Sequence, residues 1–231
     1  MSGGERPDAA AILVAAGRGE RAGAGPPKQF RELGGVPVLE RAWRPFAGSD
    51  EIAELVLVLP ADAVEDPPAW LRDAPARRVP GGETRTESVA RGLEAVSSGA
   101  GRILVHDGVR PFCSPALVRS VLAAAADGPV VPLLQMRDTV KEVDRSGRVV
   151  RTPERASLRR AQTPQGFTAE VLREAHRRAA RSGEGATDDA ALCEAMGEVV
   201  RGVEGEETNL KLTTPADFEY AAWLLETGRV R

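Results

Sequence analysis

An α/β fold, a mostly parallel sheet with helices on both faces, is what this sequence predicts, and three observations carry the prediction. Short apolar runs recur without a polar face, amphipathic stretches of helical period lie between them, and capping or turn residues stand at the joints. Strands buried on both sides read as continuous apolar runs, and their alternation with helices marks parallel sheets.

The first strand covers 9–16, and "ELVLVLP" (54–60), "RILVHD" (102–107) and "GPVVPLL" (128–134) supply three more. Ahead of the third, "ETRTESVARGLEAVSS" places Val89, Leu93 and Val96 at i, i+4 and i+7, with Thr84 three residues before Glu87 as in a capping box. "SPALVRSVLAAAAD" opens with Ser114 as N-cap and Pro115 at the first helical position; "TTPADFEYAAWLLE" repeats that signal with Thr214 and Pro215. Segment 135–167 breaks the rhythm. Its residues alternate around "DRSG" (144–147), which predicts an inserted β-hairpin arm at about 136–160. An arm that size buries little against its own domain, so two readings stand: pairing with a second chain, or a flap on its own sheet. With no repeat or low-complexity linker, one domain over 1–231 is expected.

Composition narrows the function. The 231 residues suffice for a sizeable core, and 42% hydrophobic with 28% charged residues is ordinary for a globular protein. A net charge of −3 gives no reason to expect a nucleic acid or a membrane held by bulk electrostatics. No apolar run approaches the roughly 18 residues of a membrane span. "MSGGERPDAA" lacks the apolar core of a secretion signal, and Cys113 and Cys193 have no metal-like spacing, so a cytoplasmic protein with reduced thiols is expected. Only Lys28, Lys141 and Lys211 among 31 basic residues are lysines, which hints at places where a compact ammonium is required.

The stretch "AAGRGERAGAGPPKQF" (15–30) leaves the first strand rich in glycine and positive charge. A Walker loop needs Gly-Lys-Ser/Thr running into a helix, but Gln29 follows Lys28. A dinucleotide fingerprint finds Gly17, Gly19 and Gly23, yet Pro26 and Pro27 block the helix that must follow, and "VLVLP" ends without the acidic partner. A long loop wrapped around phosphates fits better: glycines let N–H groups approach phosphate oxygens, and Arg21 and Lys28 supply two cations. "PGGETRTESV" (80–89) adds a second glycine turn entering a helix, with Ser88 near its start. "VHDGVRP" (105–111) ends a buried strand with Asp107, a carboxylate of the kind a Mg²⁺ site needs beside a polyphosphate, followed by Arg110. His106 reads as a packed or hydrogen-bonded histidine.

These residues resemble the 2-C-methyl-D-erythritol 4-phosphate cytidylyltransferase family. The likeness runs in order through "ILVAAGRGERAGAGPPKQF", "GGETRTESV", "VHDGVRPF", "MRDTVK", "AQTPQGF", "ATDDAALCE" and "NLKLTTPADF", essentially the whole chain. It implies a Rossmann-like nucleotidyltransferase sheet of the GT-A-like kind with a dimerising arm, and CMP transfer from CTP to methylerythritol phosphate. By resemblance Arg21, Lys28, Arg155 and Lys211 are catalytic. Ala15, Ala16, Gly17, Gly19, Gly82, Glu83, Ser88 and Asp107 bind nucleotide, with Asp107 holding Mg²⁺. Arg110, Thr139, Arg155, Thr163, Thr187 and Lys211 bind the second substrate.

Blander readings stay beside several of these. Arg155 belongs to a cluster with Arg151, Arg159 and Arg160 that solvent alone explains, Thr187 could be the N-cap of "TDDAALCEAM", and Lys211 could guard an edge strand "NLKL". Glu83 stands where the family commonly has aspartate, and Thr84 where it has a charged residue. Two rival functions are ribitol 5-phosphate cytidylyl transfer and a nucleotide-binding regulator without turnover. A homodimer through the arm is expected.

Overall fold

The computed structural model describes residues 8–17, 26–183 and 185–230. The chain runs through β1 (Ala9–Val14), the antiparallel pair β2 (Glu32–Leu33) and β3 (Val36–Pro37), α1 (Val38–Ala47), β4 (Ile52–Leu59) and the short helices α2 (Ala61–Glu65) and α3 (Ala69–Arg72). Next come β5 (Arg77–Pro80), α4 (Arg85–Ala95), β6 (Arg102–Asp107), α5 (Pro115–Ala124), β7 (Val130–Gln135) and a second antiparallel pair, β8 (Glu142–Val143) with β9 (Val149–Arg151). The rest is β10 (Arg159–Ala161), β11 (Gln165–Thr168), α6 (Ala169–Ser182), α7 (Asp189–Ala195), β12 (Arg201–Glu204) and α8 (Pro215–Glu226).

The main sheet has the order β10-β7-β11-β6-β1-β4-β5, with β12 also on β7. β5, β4, β1 and β6 are mutually parallel, while β10 and β11 enter antiparallel. Side chains alternate between two cores. Leu13, Leu57 and Leu104 face α1 and α5, packing with Phe46 and Leu122; Ile12, Val56, Val58, Ile103 and Val105 face α4 and α6, packing with Leu93, Phe167 and Leu172. Full burial of each such side chain contributes about 1.5–3 kcal/mol, which is why these strands had to be apolar on both faces. The expected stripe Val89, Leu93, Val96 is buried. Thr84 caps α4 by accepting from the Glu87 N–H, but the Glu87 carboxylate reaches past the cap to the Glu83 N–H, so the box is half formed. Ser114 and Thr214 cap α5 and α8 as expected, the latter in a full box with Asp217.

The hairpin is also present. Asp144 Oδ1 accepts from Ser146 and Arg148 N–H groups, and Gly147 (φ +83°) closes the turn in the left-handed region that glycine tolerates. Val143, Val149 and Val150 are more than half exposed. Within the 136–160 span, Arg159 and Arg160 already pair with β7 in the main sheet.

Candidate active site

Register builds the site. β6 aligns Asp107 with Val14, β1 aligns Val14 with Val58, and β4 aligns Val58 with Val79, so four strands end in one row. The segments that leave this row, 15–17, 81–83 and 108–110, lie together at the carboxyl edge, where open α/β sheets bind ligands. Gly108 allows one close approach: a Cβ there would stand 2.9 Å from Ala15 Cβ and 3.2 Å from the Val14 carbonyl oxygen.

Asp107 is the centre of charge. Arg85 Nε lies 3.3 Å from Oδ1, while Lys211 Nζ and Arg110 Nε lie 2.8 and 3.8 Å from Oδ2. Burial alone would raise this carboxyl; the charges of Arg85, Lys211 and Arg110 outweigh it and hold the group well below the usual carboxylate range. Arg110 Nη1 donates to the Asn209 carbonyl, and the Leu212 N–H to that of Val109, so the chain bearing Lys211 is strapped beside β6. That segment is not the edge strand expected for "NLKL"; it is irregular chain held by single bonds.

The nucleotide-side turns are pinned from within. Gln29, buried on the 3-10 turn Lys28–Phe30, donates to the carbonyls of Ala15 and Gly17 at 2.7 and 2.9 Å. Ser88 Oγ accepts from the Gly82 N–H and donates to the Thr84 carbonyl, while Arg91 donates to the Gly81 carbonyl. Burial would raise the Asp217 carboxyl in the first turn of α8, but the Thr214 and Thr213 hydrogen bonds, helped by the charge of half-buried Lys28, hold it below its ordinary value.

Behind Asp107 the polar atoms form a closed circuit. Thr163 Oγ1 accepts from the Asp107 N–H and lies 3.1 Å from His106 Nδ1, and His106 Nε2 lies 3.2 Å from the Arg110 carbonyl. A carbonyl only accepts, so Nε2 carries the proton, and Nδ1 takes the threonine O–H. The ring is neutral; burial pushes its pKa from 6.5 down to about 4. Since the unfolded chain binds the proton more readily, this residue's contribution is full above pH 6.5 and falls by about 3 kcal/mol towards pH 4. Urea midpoints taken from pH 7 to 4.5 should drop less steeply in His106→Gln; parallel slopes would exclude this histidine as the source.

Of the residues singled out in the sequence, Asp107, Arg110 and Lys211 are brought into contact, Thr163 backs them, and Gly82 and Ser88 shape the neighbouring turn. Glu83 is exposed beside it. Thr187 is exposed two residues before α7, whose cap is Asp188, not Thr187. Thr139 and Arg155 lie on the arm, where Arg155 Nη1 donates to the Arg137 carbonyl. Arg21 and Gly19, with Gly23, lie outside the described residues. Sequence reasoning missed Arg85, Gln29, Asn209 and Asp189. Gln29 stands in "PPKQF" and Asn209 in "NLKL", so their motifs are visible though their bonds are not.

The family model described as 2-C-methyl-D-erythritol 4-phosphate cytidylyltransferase matches residues 9–227. A protein from Rhodopseudomonas palustris (strain HaA2) named "Bifunctional enzyme IspD/IspF" is 49% identical over 218 residues, covering 92% of this chain and 54% of that protein. The chain thus spans about half the length of the curated relatives it matches. Among solved structures, 2-C-methyl-D-erythritol 4-phosphate cytidylyltransferase from Thermus thermophilus is 40% identical with a TM-score of 0.79, covering 93% of this chain and 98% of that one. The 4-diphosphocytidyl-2C-methyl-D-erythritol synthase from Anaerococcus prevotii is 32% identical with a TM-score of 0.83, covering 94% and 98%.

Proposed function

Because this chain belongs to the 2-C-methyl-D-erythritol 4-phosphate cytidylyltransferase family, we propose that it transfers CMP from CTP to 2-C-methyl-D-erythritol 4-phosphate. A phosphate oxygen of the polyol attacks the α-phosphorus of CTP, the bond from that phosphorus to the bridging oxygen breaks, and pyrophosphate leaves. The observation that carries the reading is the gathering of Arg85, Arg110 and Lys211 on one carboxylate at the sheet's carboxyl edge. Three cations against Asp107 leave a positive surplus beside two glycine-bearing turns, which suits a triphosphate and a phosphate monoester.

No side-chain nucleophile is needed, because the attacking phosphate is already anionic. The residues work by positioning and by meeting charge that builds on the transferring and leaving phosphates. Arg21 and Lys28 are assigned to the triphosphate, the 15–17 and 81–83 turns with Ser88 to cytosine and ribose, and Lys211 with Arg110 and Thr187 to the polyol phosphate. In the free protein Lys211 is held by Asp107, so the incoming phosphate takes over an ammonium already aimed at the site.

Asp107 would hold Mg²⁺. Among the described residues no group of three His, Cys, Asp or Glu could hold a metal alone. A single carboxylate suffices, since Mg²⁺ uses one or two carboxylates with substrate phosphates and water, and Oδ2 would be open to the ion as the partly exposed Lys211 ammonium passes to the incoming phosphate. When bound it would neutralise triphosphate charge and orient the oxygens for in-line displacement.

The arm adds a partner to the proposal. Its exposed Val143, Val149 and Val150 support pairing with a second copy, and Thr139 and Arg155 would then serve the other subunit's site. Two buried unpaired cysteines suit a reducing, cytoplasmic setting. Pyrophosphate release should appear with CTP, Mg²⁺ and methylerythritol phosphate, and be at background with ribitol 5-phosphate. CTP binding without release would establish a regulator instead, and faster release with ribitol 5-phosphate would change the substrate. Light scattering should give a dimer; a monomer at micromolar concentration contradicts the arm's role.

A further inference from the structure

Arg85 opens α4, and its guanidinium spans two buried carboxylates from distant parts of the chain. Nε lies 3.3 Å from Asp107 Oδ1, and Nη1 lies 2.7 Å from Asp189 Oδ2. Asp189 opens α7 and is held from behind, with Oδ1 2.9 Å from His176 Nε2 and its N–H donated to Gln165 Oε1. The residues just before Arg85 are the 81–83 turn; those just before Asp189 include Thr187. One planar side chain therefore joins the nucleotide turn, the central carboxylate and the segment assigned to the polyol phosphate.

We infer that Arg85 is a positioning residue of the transfer: it fixes Asp107 by Oδ1 and ties it to Asp189, so that Oδ2 faces Lys211 and the two substrate subsites keep one spacing. The inference rests on the cytidylyltransferase reading. Arginine suits the task because its donors lie in a rigid fork that can serve two carboxylates at once, whereas a lysine ammonium is a single point charge on a flexible stem. Without the fork, Asp107 is free to turn wholly onto Lys211 and Arg110 and draw the lysine away from the incoming phosphate. Lost stability alone would lower the unfolding temperature and leave the constants per folded molecule unchanged. Lost positioning moves the KM of the polyol phosphate and kcat together.

The test compares Arg85→Lys, Asp189→Asn and the double variant in steady-state kinetics, with unfolding temperatures and CTP binding by calorimetry. Arg85→Lys should raise the KM for methylerythritol phosphate and lower kcat, each about tenfold, while the CTP dissociation constant changes by less than about threefold. Asp189→Asn should shift the same two constants in the same direction, and the double variant should be no worse than Arg85→Lys, as expected of groups that act as a unit. Wild-type constants in Arg85→Lys, or losses that multiply in the double variant, overturn the inference. Should Arg85→Lys fail to fold, Asp189→Asn decides alone: an unchanged KM overturns the positioning role, and a raised KM upholds it. A wild-type protein that releases no pyrophosphate removes the transferase reading and this inference with it, whereas an active wild type with unaltered variants removes only this inference.

Discussion

An Asp107→Asn variant should lose about 10²- to 10³-fold in turnover and about 3 kcal/mol of stability. The amide keeps the shape of the carboxylate but removes the negative charge shared by Arg85, Arg110 and Lys211. The three cations do not suffer equally. Lys211 has a side chain 44% exposed and can return to water, and Arg85 keeps Asp189. Arg110 carries most of the cost, because it is 8% exposed and its Nε has no hydrogen-bond partner to fall back on. An uncompensated buried charge is what makes one-sided removal of an ion pair expensive. Turnover falls for a different reason: the cations are no longer held in one arrangement before substrate arrives.

Acid separates the two proteins further. The Asp107 carboxyl is depressed in the fold, so its contribution is present above its ordinary value of 3.8 and fades as pH falls below that. The stability gap between wild type and Asp107→Asn, read from urea unfolding, should therefore narrow between pH 7 and pH 3. A gap that stays constant would show that the carboxylate charge is not what stabilises this edge of the sheet.

The contrast between Asp107 and Arg85 explains how much of the site is legible in sequence. Asp107 ends a strand buried on both faces and precedes a glycine, so its place at the sheet's carboxyl edge follows from local pattern. Arg85 is one arginine among many in a chain with three lysines, and at a helix start it reads as a solvated charge. Its meaning lies in partners 22 and 104 residues away, which no local pattern encodes. The fold divides in the same way. β1, β4, β6 and β7 announce themselves because both faces are covered, whereas β5 and β12 are short, mostly polar and paired along one side, and β10 falls inside the segment that reads as an arm. Thr187 suits a cap by residue type alone; the neighbouring Asp188 takes the position, accepting from the Ala191 N–H.

Gly81→Ala should weaken CTP binding about 10- to 100-fold while leaving the fold intact, a range that corresponds to about 1–3 kcal/mol of overpacking. A Cβ on Gly81 would stand 2.1 Å from Ala16 Cβ and 3.0 Å from Ser88 Oγ, so the two turns assigned to the nucleotide touch through a position with room for hydrogen only. Neither side can give way cheaply. Gln29 holds the carbonyls flanking Ala16, and the Gly81 N–H and carbonyl are committed to Leu59 and to Arg91. The added methyl must therefore spread the turns apart, and the space between them is where the cytosine and ribose are assigned. The swap Gly81→Ala/Ala16→Gly supplies the control, because it removes the methyl that the first change collides with and should recover most of the lost affinity. Calorimetric titration with CTP reads both. Full affinity in Gly81→Ala, or no recovery in the swap, would mean that contact between these two turns does not set the width of the nucleotide cradle.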